Sequence, residues 1–111
     1  MLARMAHWNC RPDCQDAAAA LFERKALPIL AGQAGALGAM LLAQPGTTER
    51  IALTLWADEA SYRRFVESAA MREITEAFAP MYVDGALPVG SEFEVVRRGE
   101  FANGEVVTRA T

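Results

Sequence analysis

His7 is the only histidine of the chain, and an unperturbed pKa of about 6.5 makes it the natural general base near neutrality. Period-two alternation along a strand would put Met5, His7 and Asn9 on one face. A single histidine on a strand is also an ordinary structural residue, so the assignment needs a pocket around it. Trp56 and Tyr62 carry an indole N–H and a phenol, but a Trp at a strand end and a Tyr one helical turn later also give bulk to a small core. Cys10 and Cys14 are too few for a disulfide framework and lack the second ligand pair of a zinc site. Cys14 falls in a first helical turn, where the helix dipole lowers a thiol pKa and a redox role is conceivable; two ordinary thiols is the simpler reading. Arg63, Arg64, Glu67, Arg72, Glu73 and Glu76 read as a solvated helix face with i,i+4 partners.

The elements that must position these residues belong to a chain of 111 residues, the size of one domain, with 52% hydrophobic and 23% charged content. A net charge of −3 leaves no basic surface to neutralise a run of phosphates, so nucleic acid is a poor partner and anionic membranes are disfavoured. There is no basic-then-apolar leader and no run of roughly 18 or more apolar residues, which points to a cytoplasmic protein.

Residues 2 to 9 form a β-compatible run, ended by Pro12 at the start of a helix. Ala18, Leu21, Phe22, Ala26 and Ile29 recur at helical spacing until Pro28, which is expected to end or kink that helix. Two strands, about 36 to 43 and 50 to 56, are joined through Gln44-Pro45-Gly46-Thr47 as a hairpin. Asp58 and Ser68 are N-caps for two consecutive helices, with Tyr62, Phe65, Val66, Ala69, Ile74, Ala77 and Phe78 as the buried stripe. A last strand, about 91 to 98, completes the order βαββαβ, an α+β ferredoxin-like arrangement with a four-stranded antiparallel sheet. Residues 99 to 111 form a tail in which Asn103-Gly104 signals a tight hairpin or an arm for a neighbour. Helical crossovers of one hand cover one sheet face only. The runs at 36 to 42 and 51 to 56 are apolar on both phases, so both read as central strands buried on both faces, and the open face calls for a second copy. A homodimer is expected.

The block from Ile51 to Ser68, a strand ending in Trp56 followed by an acidic cap and a Tyr/Phe helix, resembles the antibiotic biosynthesis monooxygenase family of dimeric α+β barrel proteins. The likeness spans most of residues 1 to 98 and includes the Gly-Ala-Leu-Gly entry at Gly35 and the final Ser-Glu-Phe-Glu-Val-Val strand. In the anthrone-oxidising branch of that family, the resemblance implies dioxygen chemistry with no metal or flavin, the substrate anion itself reducing dioxygen. That branch has a Trp and a Tyr six apart as donors to substrate oxygens, which Trp56 and Tyr62 match. The Asn expected four residues before the Trp is Ala52 here. In the haem-degrading branch a second Trp and an axial His fall at positions that are Phe65 and Thr75, so haem is expected to be neither substrate nor cofactor.

The resulting expectation is a cofactor-independent monooxygenase acting on a small phenolic, quinol or polyketide-like aromatic. Trp56, Tyr62 and His7 would be catalytic, and Asn9, Met5, Phe65 and Phe78 would bind substrate. Trp56→Phe should then lower turnover far more than stability, and His7→Ala should remove a pH dependence near neutrality. The competing readings are a non-catalytic small-molecule binder on the same barrel and an assembly role carried by the tail.

Overall fold

In the computed structural model, which describes residues 1–107, strand β1 spans Leu2–Asn9, and Pro12 opens a 3-10 turn into helix α1, Gln15–Leu21. The chain continues through a π-helical stretch, Phe22–Ala26, into helix α2, Leu27–Ala31. Pro28 was expected to end or kink this segment, yet the helix passes through it. Pro28 has no N–H and its ring crowds the carbonyl four residues back; the wider π turn, with the Leu27 N–H on the Phe22 carbonyl, absorbs both defects without ending the helix.

Strand β2, Ala36–Ala43, and strand β3, Glu49–Trp56, form the hairpin. Asp58 caps helix α3, Glu59–Val66, accepting from the Ser61 N–H at 2.7 Å, and Ser68 caps helix α4, Ala69–Phe78, accepting from the Met71 N–H at 3.3 Å. Val66 and Ala69, placed in the buried stripe by spacing, are exposed. The break between the two helices turns each onto a different side of the stripe, while Tyr62, Phe65 and Phe78 remain buried.

Strand β4, Val89–Glu94, begins and ends earlier than the expected 91 to 98. Its partner sets the limit: pairing with β1 runs from His7↔Val89 to Leu2↔Glu94, a last bond joins Val95 N–H to the Met1 carbonyl, and the residues beyond have no strand opposite them. The sheet order is β2-β3-β1-β4, all neighbours antiparallel, which is the ferredoxin-like α+β topology. The two central strands are β3 and β1. Strand β2, expected to be central, is an edge strand, so the inference from its apolar phases to full burial fails within one chain.

Strands β5, Glu100–Ala102, and β6, Glu105–Val107, form a separate two-stranded hairpin. Asn103 and Gly104 both have positive φ at its tip, the backbone that a type I′ turn requires. The rest of the expected tail, 108 to 111, lies outside the described residues. No helix among the described residues is long and apolar enough to cross a membrane.

The helices cover one face of the sheet. Residues directly opposite one another in antiparallel pairs share a face, so the Leu2, Arg4, Ala6, Trp8 phase of β1 faces the helices. The Ala3, Met5, His7 phase lies on the other side with Ile51, Leu53 and Leu55. The core between sheet and helices contains Trp8, Phe22, Trp56, Phe65, Phe78 and Tyr82.

Candidate functional site

Helix α4 and the π stretch stand off the sheet because Trp8, Phe65 and Phe78 are too large to let the layers close completely. The space left is a cavity of about 270 Å³, at the lower edge of the ~300 to 1,000 Å³ range of small-molecule sites. Its floor is Arg4, Ala6 and Trp8 of β1, Ala52 and Thr54 of β3, and Leu41 of β2. The roof is Phe22, Ala26 and Leu30 with Phe65, Met71, Ile74, Thr75 and Phe78, and Tyr82, Leu87 and Pro88 complete the lining. Leu87 is exposed as well as lining, so the mouth lies beside it. The lining is largely aliphatic and aromatic, with Arg4, Thr54, Thr75 and Tyr82 as its polar groups beside the Trp8 indole.

The aromatic walls are held edge-on. Trp8 meets Phe78 with ring centroids at 5.9 Å and Tyr82 at 5.4 Å, both T-shaped. Burial pushes the Tyr82 phenol up from its ordinary pKa, so its hydroxyl stays a donor. The Thr75 hydroxyl is spent on the Met71 carbonyl at 2.9 Å. Thr54 is different: its Oγ1 accepts from the Trp56 indole N–H at 2.9 Å, and its own proton has no protein acceptor among the described residues and is free for a ligand.

The residues expected to form the site therefore separate into three groups. Phe65 and Phe78 line the cavity. Trp56 and Tyr62 stand behind its wall, Trp56 wholly buried with its ring 5.0 Å from Phe65 and 6.0 Å from Tyr62. Met5, His7 and Asn9 do not converge with them, because alternation along β1 turns Met5 and His7 to the opposite face. His7 sits there within 3.4 Å of the Ser91 hydroxyl and 4.0 Å of Glu49, and Asn9 accepts from the Thr48 hydroxyl at 2.9 Å at the strand end. The shared face of Met5 and His7 was legible in the sequence; which face the helices would cover was not.

Arg4, Trp8, Thr54 and Tyr82 were missed. The available signal was Trp8: a strand's bulkiest side chain marks its core face, and that phase includes Arg4. The cysteines stay outside the site. Cys10 is fully buried, and burial pushes its thiol pKa up, so it is held as an unreactive thiol. Among the described residues no three His, Cys, Asp or Glu side chains come together as a metal site would require.

The fold and the apolar cavity between sheet and helices define a small ferredoxin-like α+β domain. The family profile of the antibiotic biosynthesis monooxygenases matches residues 1–77, and the chain belongs to that family. Among solved structures it is similar to Rv0793 from Mycobacterium tuberculosis, at 12% identity and a TM-score of 0.70, over 87% of this chain and 96% of that one. It is also similar to a mutant of SnoaB, a cofactor-independent oxygenase from Streptomyces nogalater, at 15% identity and a TM-score of 0.70, over 87% and 94% of the two chains. A conserved protein from Methanosarcina mazei Go1 matches at 13% identity and a TM-score of 0.70, over 83% and 89%. No curated protein matches the chain by sequence.

Proposed function

We propose that the chain is a cofactor-independent monooxygenase that oxidises a small phenolic, quinol or polyketide-like aromatic. The observation that carries this reading is the cavity: in a member of this family, an apolar, aromatic-walled space opens at one end and has few donors aimed into it. Such a space suits a flat ring, excludes water from a developing anion, and stabilises that anion with the Thr54 and Tyr82 hydroxyls. The substrate anion passes an electron to dioxygen, the two radicals recombine to a peroxide, and loss of water leaves the quinone-type product. One oxygen atom ends in the product and one in water.

Trp56 acts through Thr54, whose lone pair it occupies, and Tyr62 supports the wall behind Phe65. The sheet separates His7 from the cavity, so the substrate gives up its proton to solvent water at the mouth beside Leu87. An oxygen electrode read across anthrones, naphthols and quinols, with chelator present and no flavin added, tests the reading. Uptake with at least one of them is the expected result, and none with any would overturn it.

A non-catalytic binder is the second reading, favoured by one observation: among the described residues no carboxylate or imidazole lines the cavity. Ligand-induced stabilisation by many aromatics with no turnover of any would select it. In either case we propose a homodimer built on the uncovered sheet face, where Met40, Leu42, Val89 and Phe93 are exposed beside Met5, Leu53 and Leu55. A two-fold axis presents that same apolar face to itself.

A further inference from the structure

Among the described residues Arg4 is the one charged side chain in the cavity lining. Its Nε is buried with no hydrogen-bond partner, and among the described residues no carboxylate pairs with its guanidinium. The carboxylate that the register places opposite it is Glu92. That side chain turns away: Glu92 is bonded to Arg63 at 3.3 Å, and Arg63 is also held by Glu59 at 3.1 Å. Arg4 instead lies over the Tyr62 ring, 5.5 Å from its centroid, which holds the guanidinium by a cation–π contact while leaving its N–H groups unspent.

The space for this arrangement comes from Gly90 on the neighbouring strand. A Cβ there would stand 2.8 Å from one guanidinium nitrogen and 3.3 Å from its central carbon, so a side chain at 90 would displace Arg4. Arg4 is half-buried, and a guanidinium with one N–H buried and unbonded and no carboxylate beside it has donors left for an anion at the cavity.

Resting on the cavity as the ligand site, we propose that Arg4 is the anion anchor of this protein and that its ligands are aromatics bearing an acidic oxygen, a carboxylate or an ionised phenol. The planar fork of Arg4 takes that oxygen through its N–H groups, and the ring lies along Trp8 and Phe78. For a phenolic ligand the same contact lowers the pKa of the bound hydroxyl. This supplies the anion in a cavity whose lining contains no general base.

The test compares 2-naphthoate with its neutral counterpart 2-naphthamide, by calorimetry and by quenching of the indole fluorescence to which Trp8 contributes. The unaltered protein should bind the naphthoate about ten- to a hundredfold more tightly. Arg4→Met should bring the ratio close to one with the naphthamide affinity retained, and Arg4→Lys should restore part of it. Should Arg4→Met fail to fold, Arg4→Gln reads the same ratio with a polar, uncharged head. An absorbance titration of bound 2-naphthol should give a lower pKa than free 2-naphthol, and a value at or above the free one in the Arg4→Gln protein, where burial alone acts on the phenol.

Equal binding of the two probes by the unaltered protein, or a naphthoate preference that survives loss of the charge, overturns the anchor. Oxygen uptake separates the two readings. Anion preference without uptake upholds Arg4 and sinks the oxygenase, and uptake unchanged by Arg4→Gln, with no anion preference, does the reverse.

Discussion

Thr54 and Trp56 are coupled, and the coupling changes what each substitution should do. Trp56 is completely buried and its indole N–H is satisfied by the Thr54 hydroxyl. Trp56→Phe should therefore lower stability, by about 1 to 3 kcal/mol for the lost volume and packing, where sequence reasoning expected mainly a loss of turnover. Thr54→Val strands that indole donor and removes the hydroxyl proton free for a ligand. It should cost about 1 to 3 kcal/mol in urea unfolding and reduce turnover, while Thr54→Ser keeps both properties near those of the unaltered protein. His7→Ala is expected to leave the neutral limb of the pH–rate profile in place, because His7 lies across the sheet from the cavity. Loss of that limb in the variant would return His7 to the mechanism.

At the scale of elements, the join between β2 and α3 is held by close backbone approach. Gly35 has φ +81°, its carbonyl accepts from the Ala57 N–H at 2.7 Å, and a Cβ at 35 would collide with the Ser61 side chain. Gly35→Ala should destabilise by about 2 to 4 kcal/mol, the sum of a strained backbone and an overpacked contact, as a fall in the urea midpoint with the slope unchanged. The first turn of α3 carries a pH dependence. Bonds from the Ser61 backbone and hydroxyl to Asp58 hold its carboxyl below the usual Asp range. A depressed folded-state pKa means that the cap's stability is present above the unfolded value of about 3.9 and is lost as pH falls through the folded value. Asp58→Asn keeps the cap and should flatten the acid side of the stability profile, as thermal melts across that range will read.

For the whole molecule, the open sheet face decides the oligomeric state. Met40 and Phe93 are each about half exposed in the single chain, 49% and 52%, on a mostly apolar face that also carries His7 and Ser91. Light scattering at micromolar concentration should give twice the 12.0 kDa chain mass, and Met40→Glu with Phe93→Lys should halve it. A folded monomer of the unaltered chain would remove the dimer proposal. The β5–β6 hairpin, with Phe101 80% exposed, is a separate unit, and removing residues 99 to 111 should leave the cavity's ligand affinity intact if it acts only in assembly.

Local chemistry was enough to read most elements from the sequence. The Asp58 and Ser68 caps, the β2–β3 hairpin and the Asn103-Gly104 turn depend on side chains and backbone within a few residues of each other, and each formed where its residues implied. That Phe65 and Phe78 line the cavity was legible because a helix presents its stripe to whatever covers it. Decisions between distant segments were not legible. The edge position of β2 and the early end of β4 depend on which strand lies opposite which, and the π turn that carries the helix through Pro28 is a backbone adjustment that no side-chain period announces. Period-two alternation says only that Met5 and His7 oppose Arg4 and Trp8; the packing of α4 against one of those faces made Arg4, Trp8 and Thr54 the cavity floor. The sequence by itself determined the elements and the family, because both reside in local patterns, and only the tertiary structure decided which side of the sheet became the site.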